Sequence, residues 1–337
     1  MEVAHRVLVV GDGGWGTALA MVLPARGRAA TLWSHDPEYA ALMRETHTNP
    51  RFLPGFDLDP SIRIGSGFAD LLVDTELVVS AVPTAYLRAV WEPQAHLLPP
   101  ALPVLSVSKG LEERTLLRPT QILEDVLGPR PIAVLSGPNI AREIAHGQPA
   151  ATVASSRDGD LTHVVQRTFS GPNFRIYANP DPLGVELGGV LKNVIAIAAG
   201  LCDGLKLGAN AKASLITRGV IEMARLGERL GGQRRTFFGM AGLGDLLTTC
   251  YSPASRNRTF GERLGRGERA IDIQESMNMV AEGVKTSAPV HTLMHEHDLQ
   301  LPISEQVYYA IHEGKSAREV LRSLMDRAMR DEAEDRL

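Results

Sequence analysis

A chain of 337 residues has room for two domains at roughly 100–200 residues each, and its 44% apolar and 22% charged composition excludes long disorder, collagen and extended coiled coil. Lys+Arg 35 against Asp+Glu 39 gives −4, without the basic footprint of a nucleic-acid binder, and the two cysteines, Cys202 and Cys250, suggest no disulfide framework, so a reducing cytoplasm is expected. No basic-then-apolar leader opens the sequence and the longest wholly apolar run, 194–202, is far short of the roughly 18 residues of a membrane span, so a soluble protein without an integral membrane segment is expected.

Residues 6–10 (RVLVV) are too few for a helix and run straight into glycines, the pattern of a strand buried on both faces. A helix over 14–26 follows, then a strand at 30–33, a helix at 37–45, a strand at 76–82, a helix at 84–97 and a strand at 103–107. Apolar runs at 131–135, 151–154 and 174–177 continue the βαβα alternation, which predicts a mostly parallel, doubly wound sheet. After Asn179-Pro180-Asp181-Pro182 the texture turns helical, with candidates at 185–200, 211–230, 256–264, 271–280, 287–297 and 305–313. The expected architecture is α/β: a Rossmann-like, doubly wound dinucleotide-binding domain over 1–180, then an all-helical substrate-binding and catalytic domain over 181–337. The charged ending 331–336 reads as a frayed, solvated tail.

Gly11-Asp12-Gly13-Gly14-Trp15-Gly16 fits GxGxxG and lies between the first strand and the first helix, where dinucleotide binding needs it. Gly11 permits the tight turn, Gly13 lets a pyrophosphate reach the backbone, and Gly16 lets helix and strand pack closely. The choice between NAD and NADP is written at the end of the second strand, Trp33-Ser34-His35-Asp36-Pro37. Asp36 followed by Pro37 is the signature of a helix N-cap, which leaves Ser34 and His35 nearest the ribose 2′ position. Without a carboxylate there the balance leans to NADP, with NAD open.

In the helical half, Lys192 has glycines at i−4 and i−3 and alanine at i+4, neighbours too small to cover a cation. That suits ligand contact, with a snorkelling lysine beside a small-residue helix contact as the alternative. The stretch 239–250 (GMAGLGDLLTTC) and Ser255-Arg256-Asn257-Arg258 come next. Together with the glycine loop, Ser106-Val107-Ser108-Lys109-Gly110-Leu111, Ser136-Gly137-Pro138-Asn139-Ile140-Ala141 and Gly208-Ala209-Asn210, they resemble, in order, the bacterial NAD(P)-dependent glycerol-3-phosphate dehydrogenases from about residue 7 to residue 317.

The resemblance implies reduction of dihydroxyacetone phosphate to sn-glycerol 3-phosphate, feeding phospholipid synthesis. It implies Lys192 as proton donor in reduction and acceptor in oxidation, with Lys109, Gly137, Asn139, Asp245, Ser255, Arg256 and Asn257 around the substrate. It also implies cofactor contacts at Gly14, Trp15, His35, Lys109, Ala141, Arg256, Val280 and Glu282. Asp12 and Gly14 replace the commoner Ala and Ser of the loop, and Asn139 replaces Ser or Thr.

The chemistry agrees independently, since a positioned cation can stabilise and protonate the oxygen of a ketone under reduction. Burial and a second cation such as Lys109 would lower the Lys192 pKa towards working pH, and Asp245 would oppose that while orienting the lysine. Asp245 also reads as a helix N-cap after the glycine-rich turn. Arg256, at a helix start, combines a planar fork with free amide donors and suits a phosphate. His291 and His295 at i and i+4, with neither HExxH nor a third carboxylate ligand, are expected to form a solvated face and no metal site. Another ketone or hydroxy-acid dehydrogenase and a dinucleotide-sensing regulator remain as alternatives, and the oligomeric state, a homodimer included, is open.

Overall fold

The computed structural model describes residues 3–277 and 281–329. β1 (Arg6–Val10) leads through the glycine loop into α1 (Gly14–Val22), and β2 (Ala29–Trp33) into α2 (Pro37–Thr46). A small ribbon, β3 (Thr48–Asn49) with β4 (Leu53–Asp57), precedes β5 (Arg63–Gly65). β6 (Leu77–Ser80) and β7 (Val104–Ser106) follow, then α3 (Pro119–Leu127), β8 (Ile132–Ser136), β9 (Ala150–Ser156), α4 (Gly159–Phe169) and β10 (Phe174–Ala178).

The large sheet has the order β10-β9-β8-β7-β6-β1-β2-β5. From β5 across to β8 every pairing is parallel, β9 is antiparallel to β8, and β10 is parallel to β9. The chain order reverses between β1 and β6, so the carboxyl ends of these strands flank the crevice where doubly wound sheets take ligands. β1 is buried on both faces because its side chains alternate between two apolar layers. Val7 and Val9 pack with Leu32 and Val79 on one side, and Leu8 and Val10 with Val78 and Trp91 on the other.

Two expected helices come out shorter than their apolar pattern. The first ends at Val22, and Pro24–Arg26 becomes a 3₁₀ turn closed by Gly27 at φ +66°. The segment 84–97 splits into Thr84–Tyr86, Leu87–Trp91 and Glu92–Leu97, and the second break falls where Pro93 has no N–H for the Ala89 carbonyl four residues back. β5, the β3–β4 ribbon, α3 and α4 were not foreseen in the sequence.

The helical half begins with α5 (Pro182–Gly204) and α6 (Gly208–Arg229), then α7 (Asp245–Tyr251), α8 (Arg256–Gly265), α9 (Glu282–Glu296) and α10 (Pro302–His312). Asp181 starts α5, accepting from the Gly184 N–H at 2.9 Å and, with its other oxygen, from the Gln233 N–H at 2.7 Å and the Thr236 hydroxyl at 2.8 Å. Buried Glu186 takes the Arg118 guanidinium and the Thr120 N–H, the latter at 2.8 Å, and ties α5 to the start of α3. α5 is long and apolar enough to cross a membrane, with mean hydropathy 1.6, but its apolar window is wholly buried inside the molecule, as befits a core helix.

Where α5 crosses α8 the backbones touch. A Cβ on Gly200 would overlap the Arg258 carbonyl, one on Gly204 the Glu262 carbonyl, and one on Gly261 the Ile197 carbonyl. The helix expected at 271–280 is described as Ala270–Ser276, and α9 starts five residues before the expected 287. Residues 278–280, with Val280 among them, and the charged ending 331–336 lie outside the described residues.

Candidate active site

Gly11 adopts φ +114°, and a Cβ there would lie 2.8 Å from the Ala81 carbonyl oxygen; one on Gly16 would overlap the Gly11 carbonyl. The path of the chain therefore demands both glycines. Gly13 is different, since a Cβ on it would meet nothing within 4 Å. Gly13 is the N-cap of α1, whose first turn has no side-chain cap and no acidic residue. Uncapped amide donors and the positive end of the helix dipole thus face open space, an arrangement that fits the pyrophosphate of a dinucleotide. Gly14 lies beside the Phe52 carbonyl, and its Cβ would stand 3.8 Å from that of Ala141. The Trp15 indole packs edge-on against Phe174 at 6.4 Å, with its N–H buried and unpaired.

At the end of β2, Asp36 caps α2 as expected, accepting from Glu38 N–H at 3.1 Å and Tyr39 N–H at 3.0 Å. His35 is exposed. Ser34, read from the sequence as a neighbour of the ribose, is instead fully buried and donates to Asp12 Oδ2 at 2.7 Å. The strand end closes on the glycine loop, which takes the serine out of reach.

The second group of residues assembles around Lys192 in mid-α5. Its ammonium donates to Asp245 Oδ1 and, at 2.8 Å, to Thr249 Oγ1, while Lys109 Nζ donates to Asp245 Oδ2 at 2.6 Å and to the Gly137 carbonyl at 3.1 Å. One carboxylate, 1% exposed, is thus shared by two cations. Lys192 is 7% exposed, which overturns both the snorkelling alternative and the notion that its small neighbours leave it uncovered. The glycines have another task. A Cβ on Gly188 would lie 2.5 Å from the Ala241 carbonyl, and one on Gly189 would overlap Ser136 Oγ and sit 3.4 Å from the Lys109 side chain, so they admit the turns that carry Asp245 and Lys109.

Asp245 makes no capping bond; Gly244 holds the N-cap position of α7, and the carboxylate is turned to the lysines. Burial pulls the Lys192 pKa down to about 8, with Asp245 opposing the fall and Lys109 adding to it.

The third group is at the start of α8. Ser255 is its N-cap, accepting from the Arg258 N–H at 3.2 Å. Arg256 is exposed, with Glu282 at the start of α9 within its electrostatic reach. Burial raises the Glu282 pKa, against Arg256, Lys109 and Lys192. The Asn257 amide, expected on the substrate, donates to Asn193 Oδ1 at 2.8 Å and accepts from the Gly283 N–H at 2.9 Å, bracing α5, α8 and α9 together.

The loop 137–141 runs between these groups. Gly137, at φ +150°, gives its carbonyl to Lys109, Ala141 stands beside Gly14, and both amide atoms of Asn139 are buried without a partner among the described residues. Lys109, Gly137, Lys192 and Asp245 therefore meet directly, with Arg256 and Glu282 coupled to them by charge, whereas His35 stays at the far end of the glycine loop. Thr249 was missed, although its place four residues after Asp245 puts the two on one helix face. The histidines are not simply solvated: His291 stacks on Tyr308 at 3.8 Å and lies 3.1 Å from His295, Nε2 to Nε2. No group of three or more His, Cys, Asp or Glu side chains suited to a metal occurs among the described residues.

Comparison with known proteins agrees along nearly the whole chain. The family described as NAD-dependent glycerol-3-phosphate dehydrogenase N-terminus matches residues 6–162, and its C-terminus counterpart matches 181–322. A protein of Geobacter sulfurreducens named glycerol-3-phosphate dehydrogenase [NAD(P)+] is 44% identical over 98% of this chain and 99% of its own. One of the same name from Corynebacterium glutamicum is 44% identical over 97% and 99%. The crystal structure of glycerol-3-phosphate dehydrogenase from Coxiella burnetii superposes with a TM-score of 0.91 at 35% identity, covering 96% of this chain and 99% of that one.

Proposed function

Since the chain belongs to the NAD-dependent glycerol-3-phosphate dehydrogenase family, we propose that Lys192 gives the proton to the ketone oxygen of dihydroxyacetone phosphate and takes it back from the hydroxyl of sn-glycerol 3-phosphate in reverse. The enzyme is an NAD(P)-dependent oxidoreductase, and the reductive direction, which supplies glycerophospholipid synthesis, is consistent with its family. Bound at the glycine loop, the dinucleotide supplies the hydride. The observation that carries the assignment of Lys192 is a buried ammonium with a pKa near 8, held by Asp245 and Thr249 beside a second cation. Such a group is protonated enough to donate near neutral pH and weak enough to release the proton.

Asp245 orients the lysine, and Lys109 adds positive charge where the oxygen becomes negative. Arg256 and the amide donors opening α8 take the phosphate, Ser255 and Asn257 shape that helix start, and the unpaired amide of Asn139 offers both a donor and an acceptor to the substrate. Gly13 and Gly14 take the pyrophosphate, with Trp15, Ala141 and Glu282 around the rest of the cofactor. Residues 1–180 form the cofactor-binding unit and 181–337 the substrate-binding and catalytic one, a division supported by the change from sheet to helix at Asp181. Two buried free cysteines suit the cytoplasm, and sedimentation would tell a homodimer from a monomer.

Lys192→Ala tests the assignment. Turnover of dihydroxyacetone phosphate should fall by about 10²–10⁴ while Kd for the dinucleotide stays as in the parent. Near-parent turnover would assign the proton to another group.

A further inference from the structure

The carboxylate missing from the end of β2 is present there, supplied by another segment. Asp12, the second residue of the glycine loop, extends its side chain to the residue that follows β2, where Oδ2 accepts from the Ser34 hydroxyl at 2.7 Å. The serine is held in turn by its N–H to the Gly65 carbonyl at 3.0 Å and by the Asp36 N–H to its Oγ at 3.3 Å. The Asp12 backbone is equally fixed, its carbonyl accepting from Asn49 Nδ2 at 2.7 Å and Thr17 Oγ1 at 3.1 Å. Among the described residues no ion pair neutralises Asp12 and its Oδ1 accepts no hydrogen bond; the residue is only 6% exposed, and Oδ1, which is not among the sealed unpaired atoms, keeps a small opening to the outside. A rigid negative charge with one free acceptor atom therefore lies between the glycine loop and the carboxyl end of β2. In a doubly wound dinucleotide fold that is the place of the adenosine ribose.

We propose that Asp12, docked on Ser34, selects the cofactor: its free oxygen accepts from a ribose 2′-hydroxyl and its charge repels a 2′-phosphate, so the enzyme prefers NAD(H) to NADP(H). This rests on the dinucleotide-binding reading above and reverses the lean towards NADP drawn from the bare strand end. The device depends on the pairing of the two segments, because an aspartate in the loop without Ser34 to hold it would be free to turn to solvent. His35, exposed next to Ser34 in the chain, could favour a phosphate, and its influence runs the opposite way.

The test is direct binding without substrate, with Kd for NADH and NADPH measured by calorimetry on the parent, Asp12→Asn and Ser34→Ala. The parent should bind NADH at least about tenfold more tightly, and Asp12→Asn, which keeps the shape and removes the charge, should shift the NADPH/NADH affinity ratio towards NADPH by about tenfold or more. Ser34→Ala should shift it in the same direction and by less. The parent alone supplies a second measure, since the disadvantage of NADPH should shrink as salt rises from about 20 to 300 mM. An unchanged ratio in Asp12→Asn, a parent that prefers NADPH, or a salt dependence of the opposite sign would each overturn the selection by Asp12 while leaving the dehydrogenase intact. Failure of the parent to bind either dinucleotide would overturn the reading on which it rests as well.

Discussion

Asp245 is one carboxylate serving two ammonium groups, and its charge works against the burial that draws the Lys192 proton off. Removing that charge must lower the lysine pKa below about 8. Reduction needs the protonated lysine, so activity disappears as pH rises through that pKa. In Asp245→Asn the alkaline limb of kcat for dihydroxyacetone phosphate should move to lower pH, with kcat reduced throughout; a pH profile of both proteins checks it, and an unmoved limb would assign it elsewhere. Arg256 is exposed, so its energy comes only when a phosphate covers it, and an exposed cation by itself contributes little. Arg256→Ala should lower kcat/KM for dihydroxyacetone phosphate by about 10- to 100-fold and that for unphosphorylated dihydroxyacetone far less, with Kd for the cofactor followed alongside. The glycines beside Lys192 drew attention to it in the sequence for a reason the structure overturns, since they serve to admit Asp245 and Lys109 and do not leave the lysine uncovered. The pairing of Asp12 with Ser34 was not legible, because two loops 22 residues apart meet only once β1 and β2 lie side by side.

Elements rather than residues fix the distance between Lys192 on α5 and Arg256 on α8. The two helices cross at backbone contact through Gly200 and Gly204 on one and Gly261 and Gly265 on the other. A methyl group at position 261 would overlap the Ile197 carbonyl, which cannot yield without moving the whole helix. Gly261→Ala should therefore cost about 1–3 kcal/mol or more, read as a lower Tm, and should raise KM for the phosphorylated substrate as the start of α8 is displaced. A parent-like Tm would show that the helices can separate freely. Both pairs of glycines are spaced by four, a pattern plain in the sequence, yet spacing alone does not say which helix meets which. The strands were legible because period-two burial on both faces leaves a continuous apolar run. The 84–97 segment misled because its apolar pattern was followed across Pro93, and β5 escaped because three residues at a sheet edge carry too little pattern.

At the scale of the whole molecule, α6 is fastened to α10 by Glu222, which is buried and accepts from the Ile303 N–H at 2.7 Å and from the Ser304 N–H and hydroxyl, each at 3.0 Å. Burial nevertheless raises its pKa to about 7, outweighing those hydrogen bonds. The folded state then holds this proton more tightly than the unfolded chain does, so its contribution to stability declines as pH rises from the ordinary glutamate range through about 7. Glu222→Gln does not titrate, so the Tm of the parent should fall relative to that of the variant from pH 5 to pH 8; a parent Tm that rises relative to the variant would reverse the sign of the shift. The large sheet, by contrast, ends at the three-residue edge strand β5, and the separate β3–β4 ribbon exposes three of the five residues of β4. α5 has no such margin, with Gly184 to Cys202 buried residue after residue. Its amide hydrogens can trade with deuterium only when the molecule as a whole comes apart, while those at the sheet margin trade through local opening. The slowest-exchanging segment should thus be the one that carries Lys192, so the lysine keeps its place through every partial unravelling.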